Sequence, residues 1–380
     1  MRNVIILGLT SLFTDIASEM VYPLIPFFLT SALGAGPAIL GIIEGIAEST
    51  ASVLKVFSGY ISDRLQRRKA LAFAGYSGSM IGKILLYVAG SWTIVLGARV
   101  VDRIGKGIRT APRDALIADS TNPETRGRAF GLHRAMDTAG AAIGVGLAFF
   151  FFTQYAGDYS RVFLWSLVPA GVGVLLLMFV HDIRRSDPGS VGLPSLRWDR
   201  MPKRLRVFMI IAMVFTLGNS SNTFLLLRAG GLGFSPATAI LLYLVYNLSY
   251  ALFSYPAGRL SDGIGRKSLL VAGYAVYGLV YLGFALFTEQ SGPWSVWMLF
   301  GLYGLYSGMT EGVEKALVAD LAPGELRGTA IGLHATIVGI GLLPASLIAG
   351  QLWAHLGPSA TFFFGGGMGL LAALGLLFLL

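Results

Sequence analysis

Twelve stretches of mostly apolar residues, each long enough to cross a bilayer, follow one another along the 380-residue chain. They lie near 4–30, 37–61, 70–89, 92–117, 126–153, 160–181, 206–229, 236–258, 267–287, 293–319, 327–352 and 358–380. About 20 apolar residues span the hydrocarbon of a membrane. Inside it the backbone must satisfy its own polar groups, so each stretch is predicted to be a helix. Charged residues make up only 13% of the chain and apolar residues 54%. That is roughly half the charge a water-soluble domain carries, which excludes an ordinary soluble enzyme. The first stretch starts beside Met1-Arg2, as a secretory signal would, but runs too far for a cleaved segment and is read as a retained helix. With no cysteine, disulfides, thiolate metal sites and a Cys nucleophile are excluded.

The net charge of +9 does not point to nucleic acid, because the bases sit in short connections on alternate sides of the apolar stretches. One side holds eighteen Lys and Arg, the other only Arg161 and Arg228. The positive-inside rule then places the basic side, and both termini, in the cytoplasm of a cell-membrane protein. Seven of the eighteen fall around a linker at 182–205 that contains Ser186-Asp187-Pro188-Gly189-Ser190. This linker divides a first bundle, 1–181, from a second, 206–380.

The two bundles repeat one another. Ala115-Leu116-Ile117-Ala118-Asp119, Arg126-Gly127 and Gly131-Leu132-His133 match Ala316-Leu317-Val318-Ala319-Asp320, Arg327-Gly328 and Gly332-Leu333-His334 at a constant offset of 201. Gly59…Ser62-Asp63…Arg67-Arg68 matches Gly258…Ser261-Asp262…Arg266-Lys267 at 199. The chain reads as a tandem duplication of a six-helix unit with both copies in one orientation.

The run Gly59-Tyr60-Ile61-Ser62-Asp63-Arg64-Leu65-Gln66-Arg67-Arg68 resembles the G-x-x-x-D-R-x-G-R-R/K signature of the major facilitator superfamily, and Gly258 to Lys267 resembles it again. Gln66 stands where a Gly is usual, and Gly263 where an Arg is usual. The resemblance covers the whole chain. It implies an all-α membrane protein of twelve helices in two pseudo-twofold-related bundles, working as a secondary transporter by alternating access. It further implies that Asp63 and Asp262 latch the cytoplasmic side. Gly59, Arg64, Arg67, Arg68, Gly258, Arg266 and Lys267 surround that latch, and Arg113 or Arg109 supplies the basic partner on the fourth helix. Gly140-x-x-x-Gly144 and Gly146 resemble a glycine-rich motif of the superfamily's drug/proton antiporters, with Val145 where Pro is usual. That favours export.

Charges inside the spans carry the functional reading. Nine bases and nine acids lie there, fifteen of them in the first bundle. Each costs at least about 2.5–3.5 kcal/mol near the bilayer centre, so most must pair or face water. Asp15 and Glu19 share a face of the first helix, and Glu44 and Glu48 a face of the second, by their spacing of four. Arg99, Arg103 and Lys106 form a stripe on the fourth, with Asp102 one residue off it. The simplest assembly turns both acidic faces toward this stripe. Asp15, Glu19, Glu44 and Glu48 are then the candidates for proton coupling. Asp102, Arg103 and Lys106 are candidates for substrate binding, with Asn219 and Asn222 as a less charged wall in the second bundle. At offset 201, Arg113 and Asp114 align with Glu314 and Lys315, and Thr110 with Glu311. Arg113, Glu311 and Glu314 are therefore read as a second gate.

No cofactor and no metal site is expected: no His, Asp and Glu combination has a recognised metal spacing, and Gly78-Ser79-Met80-Ile81-Gly82-Lys83 is too short for a phosphate loop. His133 and His334 are read as structural. The expected function is proton-coupled movement of a small charged or amphipathic solute by a monomer, as an exporter. Alternatives are a transporter of an organic anion, carboxylate or metal chelate, and a non-transporting sensor or scaffold on the same fold. An enzyme is not expected, because no nucleophile–base constellation is present.

Overall fold

The computed structural model describes residues 2–65, 67–122, 125–182, 201–323 and 326–380, with the side chains at 56, 60 and 63–65 left aside. Among the described residues all regular structure is helical, in twelve spans. These are α1 (Arg2–Ala32), α2 (Pro37–Leu65), α3 (Arg68–Tyr87), α4 (Trp92–Asp119), α5 (Arg126–Gln154) and α6 (Tyr159–Phe179). They continue as α7 (Lys203–Gly231), α8 (Pro236–Ile264), α9 (Arg266–Leu286), α10 (Pro293–Leu321), α11 (Arg327–Leu356) and α12 (Pro358–Leu379). Eight are long and apolar enough to cross a membrane by length and composition alone. The other four are α2, α3, α4 and α10, which carry interior charges or, in α10, a run rich in glycine and tyrosine.

Local chemistry sets the boundaries. Gly292 and Gly357 adopt φ of +81° and +88°, a left-handed turn that side-chain-bearing residues avoid, and a proline follows each at the first helical position. Ser235 caps α8 by accepting the Thr238 amide at 3.1 Å. Two spans are interrupted. Pro23 and Pro26 tighten α1 into a 3-10 turn at Tyr22–Leu24 before a wider turn at Phe28–Ala32. The helical part of α7 stops at Gly218 and resumes at Thr223. One carbonyl freed there, that of Gly218, accepts the Tyr277 hydroxyl at 2.7 Å, as a backbone group deep in a bundle requires.

The chain packs as two compact units, Met1–Gly34 with Ile46–Leu193 and Ala35–Gly45 with Pro194–Leu380. The start of α2 therefore belongs to the second unit, where Gly41 and Gly45 press on the α11 backbone at Ser346 and Leu343. In the first unit α1 packs on α5 and α6, and α3 on α4 and α6; in the second, α7 packs on α11 and α12, and α9 on α10 and α12. The two units share one pairing scheme, displaced by six helices. Glycine makes the closest crossings, since small residues let membrane helices approach. Gly107 seats on Ala51 and Leu54 of α2, and its repeat partner Gly308 on Phe253 and Ser254 of α8. Gly140 and Gly144 seat on Leu12 and Ile16 of α1, so the glycine pair that suggested export also serves as a packing seam.

The structure corrects one register. Arg68 and Arg266 open α3 and α9 and form ion pairs with Asp119 and Asp320 at the ends of α4 and α10. The next residues, Lys69 and Lys267, donate to the last carbonyls of α6 and α12, Met178 at 2.9 Å and Leu377 at 3.1 Å. Arg68 thus corresponds to Arg266 at an offset of 198, not Arg67 at 199. The physical reason is one extra residue in the first connection, which leaves Arg67 outside the helix. Between α3 and α4, a Cβ on Gly105 would lie 2.6 Å from the Ser79 amide nitrogen. Gly105→Val should therefore cost about 1–3 kcal/mol by overpacking, read as a lower melting temperature in detergent. Gly146→Ala, with nothing within 4 Å of its new Cβ, should leave the melt unchanged.

Candidate functional site

In the first unit α4 is the organiser. Its stripe contains Arg99 and Arg103, both largely buried, and the exposed Lys106. Glu48 of α2 takes Arg103 at 2.8 Å and Arg99 at 3.8 Å, so one acidic face does meet the stripe. The Arg99 guanidinium also lies 5.6 Å over the Tyr22 ring, where the proline-rich turn of α1 delivers it. Among the described residues no carboxylate lies within salt-bridge distance of Lys106, although Glu48 and Asp15 act on it electrostatically. Asp15 lies in the joint field of Asp137, Lys106, Arg109 and Arg113, and Glu19 is packed against Gly144 of α5.

Asp102 has a partner that helical spacing on α4 did not supply. It turns toward α3, where Lys83 holds it at 3.3 Å, both groups mostly out of water. Two turns on along α4, Arg109 donates to Ser79 at 2.7 Å, with its guanidinium 4.4 Å over the Tyr76 ring. Arg113 is bound to Asp114 at 2.8 Å and to Ser11 of α1 at 3.2 Å. The two candidate latch bases therefore have partners inside their own unit. The side chains of Asp63 and Arg64 lie outside the described residues. Gly59 comes into ordinary contact distance of Ala111 of α4, while Gly258 faces open space.

Glu44 is separated from Glu48 in position and in partner. It is fully buried in the second unit and accepts the Ser221 hydroxyl at 3.0 Å, within the break of α7. Asn219 and Asn222 flank that serine. Asn219 donates to the Tyr306 hydroxyl at 3.2 Å, and Asn222 is held between the hydroxyls of Tyr303 at 2.8 Å and Tyr246 at 3.4 Å. These tyrosines escaped the sequence reading. They lie at spacings of three and four in 243/246/250, 274/277/281 and 303/306, one aromatic stripe on each of α8, α9 and α10. Tyr277 forms aromatic contacts with Tyr281, Tyr303 and Tyr306. Of the expected gate acids, Glu311 accepts from Tyr250, and Glu314 accepts from Tyr274 at 3.0 Å. Asp262, near the end of α8, lies 3.9 Å from Arg266 at the start of α9. Among the described residues no cluster of His, Asp and Glu could hold a metal ion.

Twelve helices in two repeated bundles, with a charge cluster inside one and a tyrosine–asparagine wall inside the other, define a multi-pass membrane transporter, not an enzyme. The Major Facilitator Superfamily profile matches residues 7–227 and again 207–380. The chain is 40% identical to an uncharacterized MFS-type transporter of Methanocaldococcus jannaschii, over 100% of this chain and 95% of that protein. At 26% identity it is similar to a multidrug resistance protein of Sodalis glossinidius (88% and 82% covered) and to a gentisate transporter of Corynebacterium glutamicum (95% and 83%). The nucleoside transporter NupG superposes with a TM-score of 0.81 over 99% of this chain and 98% of that one, at 13% identity. The chain belongs to the Major Facilitator Superfamily.

Replacing Glu48 leaves Arg103 and Arg99 facing an amide. Glu48→Gln should lower stability by about 1–3 kcal/mol, and adding Arg103→Met should recover most of that loss. Melting temperatures of the two single variants and the double variant check this; strictly additive losses would show that the pair does not interact.

Proposed function

We propose that the protein is a proton-coupled secondary transporter that exports a small charged or amphipathic solute by alternating access. The observation that carries this reading is the Glu48–Arg103–Arg99 cluster. A carboxylate shared by two largely buried guanidiniums changes its partners when it takes a proton, because the neutral acid no longer neutralises them. Proton uptake at Glu48 thereby frees Arg103, and a step of that kind ties proton movement to the rearrangement of charged groups around a solute. Asp15 and Glu19 on α1 and Glu44 on α2 are further candidates for the same role. Export is supported by the glycine-rich seam of α5 and by the relative named as a multidrug resistance protein.

A second reading, transport of an organic anion, is favoured by Lys106, which is exposed and, among the described residues, meets no carboxylate within salt-bridge distance. It is also in line with the relative named as a gentisate transporter. Arg103→Gln and Lys106→Gln discriminate: they should abolish transport of an anion and spare that of a lipophilic cation. In either case 1–181 and 206–380 serve as the two moving bundles and 182–205 as a cytoplasmic linker. The protein acts as a monomer in the cell membrane with both termini inside, as the eighteen-to-two distribution of bases suggests.

The decisive experiment is proton flux in proteoliposomes containing a pH dye, with cations, anions and chelates offered under an imposed gradient. One solute class should move protons, and Asp15→Asn or Glu48→Gln should reduce that flux to the level of empty liposomes. Solute counterflow with no pH change in any condition would overturn the proton-coupled reading.

A further inference from the structure

The duplication places two equivalent shells around residues of opposite charge. At offset 201, Arg113 corresponds to Glu314, His133 to His334 and Asp137 to Val338; at the corrected offset of 198 for α3 and α9, Tyr76 corresponds to Tyr274. In the first unit the shell is a mixed-charge cluster, with Arg113 on Asp114 and His133 facing Asp137 at 3.4 Å. In the second unit the arginine has become a glutamate and the aspartate a valine. What remains is Glu314 with Tyr274 donating to Oε1 at 3.0 Å and His334 Nε2 at 3.7 Å from Oε2.

From the structure we infer that Glu314 and His334 together form a proton-binding site in the second unit, separate from the acids of the first. Three observations carry this. No Lys or Arg of the described residues lies within salt-bridge distance of Glu314, whose side chain is 16% exposed. His334 is 5% exposed and, among the described residues, its Nε2 has no hydrogen-bond partner. The surrounding shell is aromatic: Phe208 stacks on His334 with ring centroids 5.7 Å apart, and Phe215 on Tyr274 at 3.9 Å.

The charge balance follows from these neighbours. With one proton the pair is neutral, whether the proton sits on the carboxyl or on the imidazole; without it the pair carries one negative charge that the shell cannot match. The facing groups add no cation. Helix α9 presents Tyr274, α11 presents His334, and α7 presents Phe208 and Phe215. On α10 itself, Lys315 is 3.9 Å from Glu311, which also accepts from Tyr250 of α8. The proton is exchanged with water, and no bond other than O–H or N–H forms or breaks.

The consequence for transport rests on the proton-coupled reading, but binding can be read without any solute. The experiment is infrared difference spectroscopy of the full-length protein in detergent, taken between mildly acidic and mildly alkaline pH. The carbonyl stretch of a protonated carboxylic acid should appear in the wild type, lose one component in Glu314→Gln, and shift in its pH midpoint in His334→Gln. Dye-detected proton release across the same pH step should fall by one per protein in Glu314→Gln. Size-exclusion profiles establish that the variants are folded; if Glu314→Gln is not, the midpoint shift in His334→Gln decides. A spectrum that Glu314→Gln leaves intact, or a midpoint that His334→Gln does not move, overturns the site. Proton flux in proteoliposomes separates the two ideas: flux without a Glu314 signal refutes this site alone, whereas a Glu314 signal without flux refutes the coupled reading alone.

Discussion

A guanidinium in the interior of an apolar helix bundle must be matched by carboxylates, hydrogen-bond acceptors or aromatic faces, and α4 brings four such groups into the first unit. Arg99 and Arg103 settle on Glu48, Arg109 on Ser79 and Tyr76, and Arg113 on Asp114 and Ser11. The helices that supply these partners, α1, α2 and α3, are thereby fixed around α4 in register. Glycine allows the approach: Gly75, Gly82, Gly105 and Gly107 bring α2 and α3 close enough for short side chains such as Ser79 and Ser58 to reach α4. Charge pairing and small-residue packing are one constraint here, since neither geometry is available without the other.

The second unit meets the same topology with different chemistry. At offset 201 its α10 carries Phe300, Gly304 and Ser307 where α4 has the basic stripe, and Tyr303 where α4 has Asp102, so its interior is held by hydroxyl-to-amide hydrogen bonds and tilted tyrosine rings. Duplicated helix pairs, glycine crossings and terminal ion pairs persist across the two units, because they depend on backbone approach and on helix ends. The interior charges have diverged, since the backbone approach that holds the helices together does not depend on them. Glu314 stands where Arg113 stands in the first unit and Val338 where Asp137 stands, and together these exchanges turn a shell built around a cation into one built around an acid.

Much of this was legible in residue order. Twelve apolar runs gave the helices to within a few residues, and the largest extensions, such as α8 running to Ile264, occur where a helix continues past the apolar stretch. Spacing on α2 and α4 turned the Glu44/Glu48 face toward the basic stripe, and of the two only Glu48 pairs with it, while Glu44 meets Ser221. Two features did not follow. The tyrosine stripes read as ordinary apolar content, because a period of three or four marks a buried face without saying what the hydroxyl meets. The equivalence of Arg68 with Arg266 was displaced by one residue, because matching letters across a connection cannot tell which residue resumes the helix.

The sequence by itself determined the number of spans, their membrane character, the duplication and the inventory of charges that had to be neutralised. These depend on hydrophobic length and on repeated order, both of which are one-dimensional. Only the tertiary structure decided how the charges divide: Asp102 to Lys83, Glu48 to Arg103, Glu44 to Ser221 in the other unit, and Glu314 to Tyr274 and His334. Helical spacing fixes the face on which a side chain stands, but the partner on that face comes from a helix distant in sequence. Which helix arrives there is set by close packing.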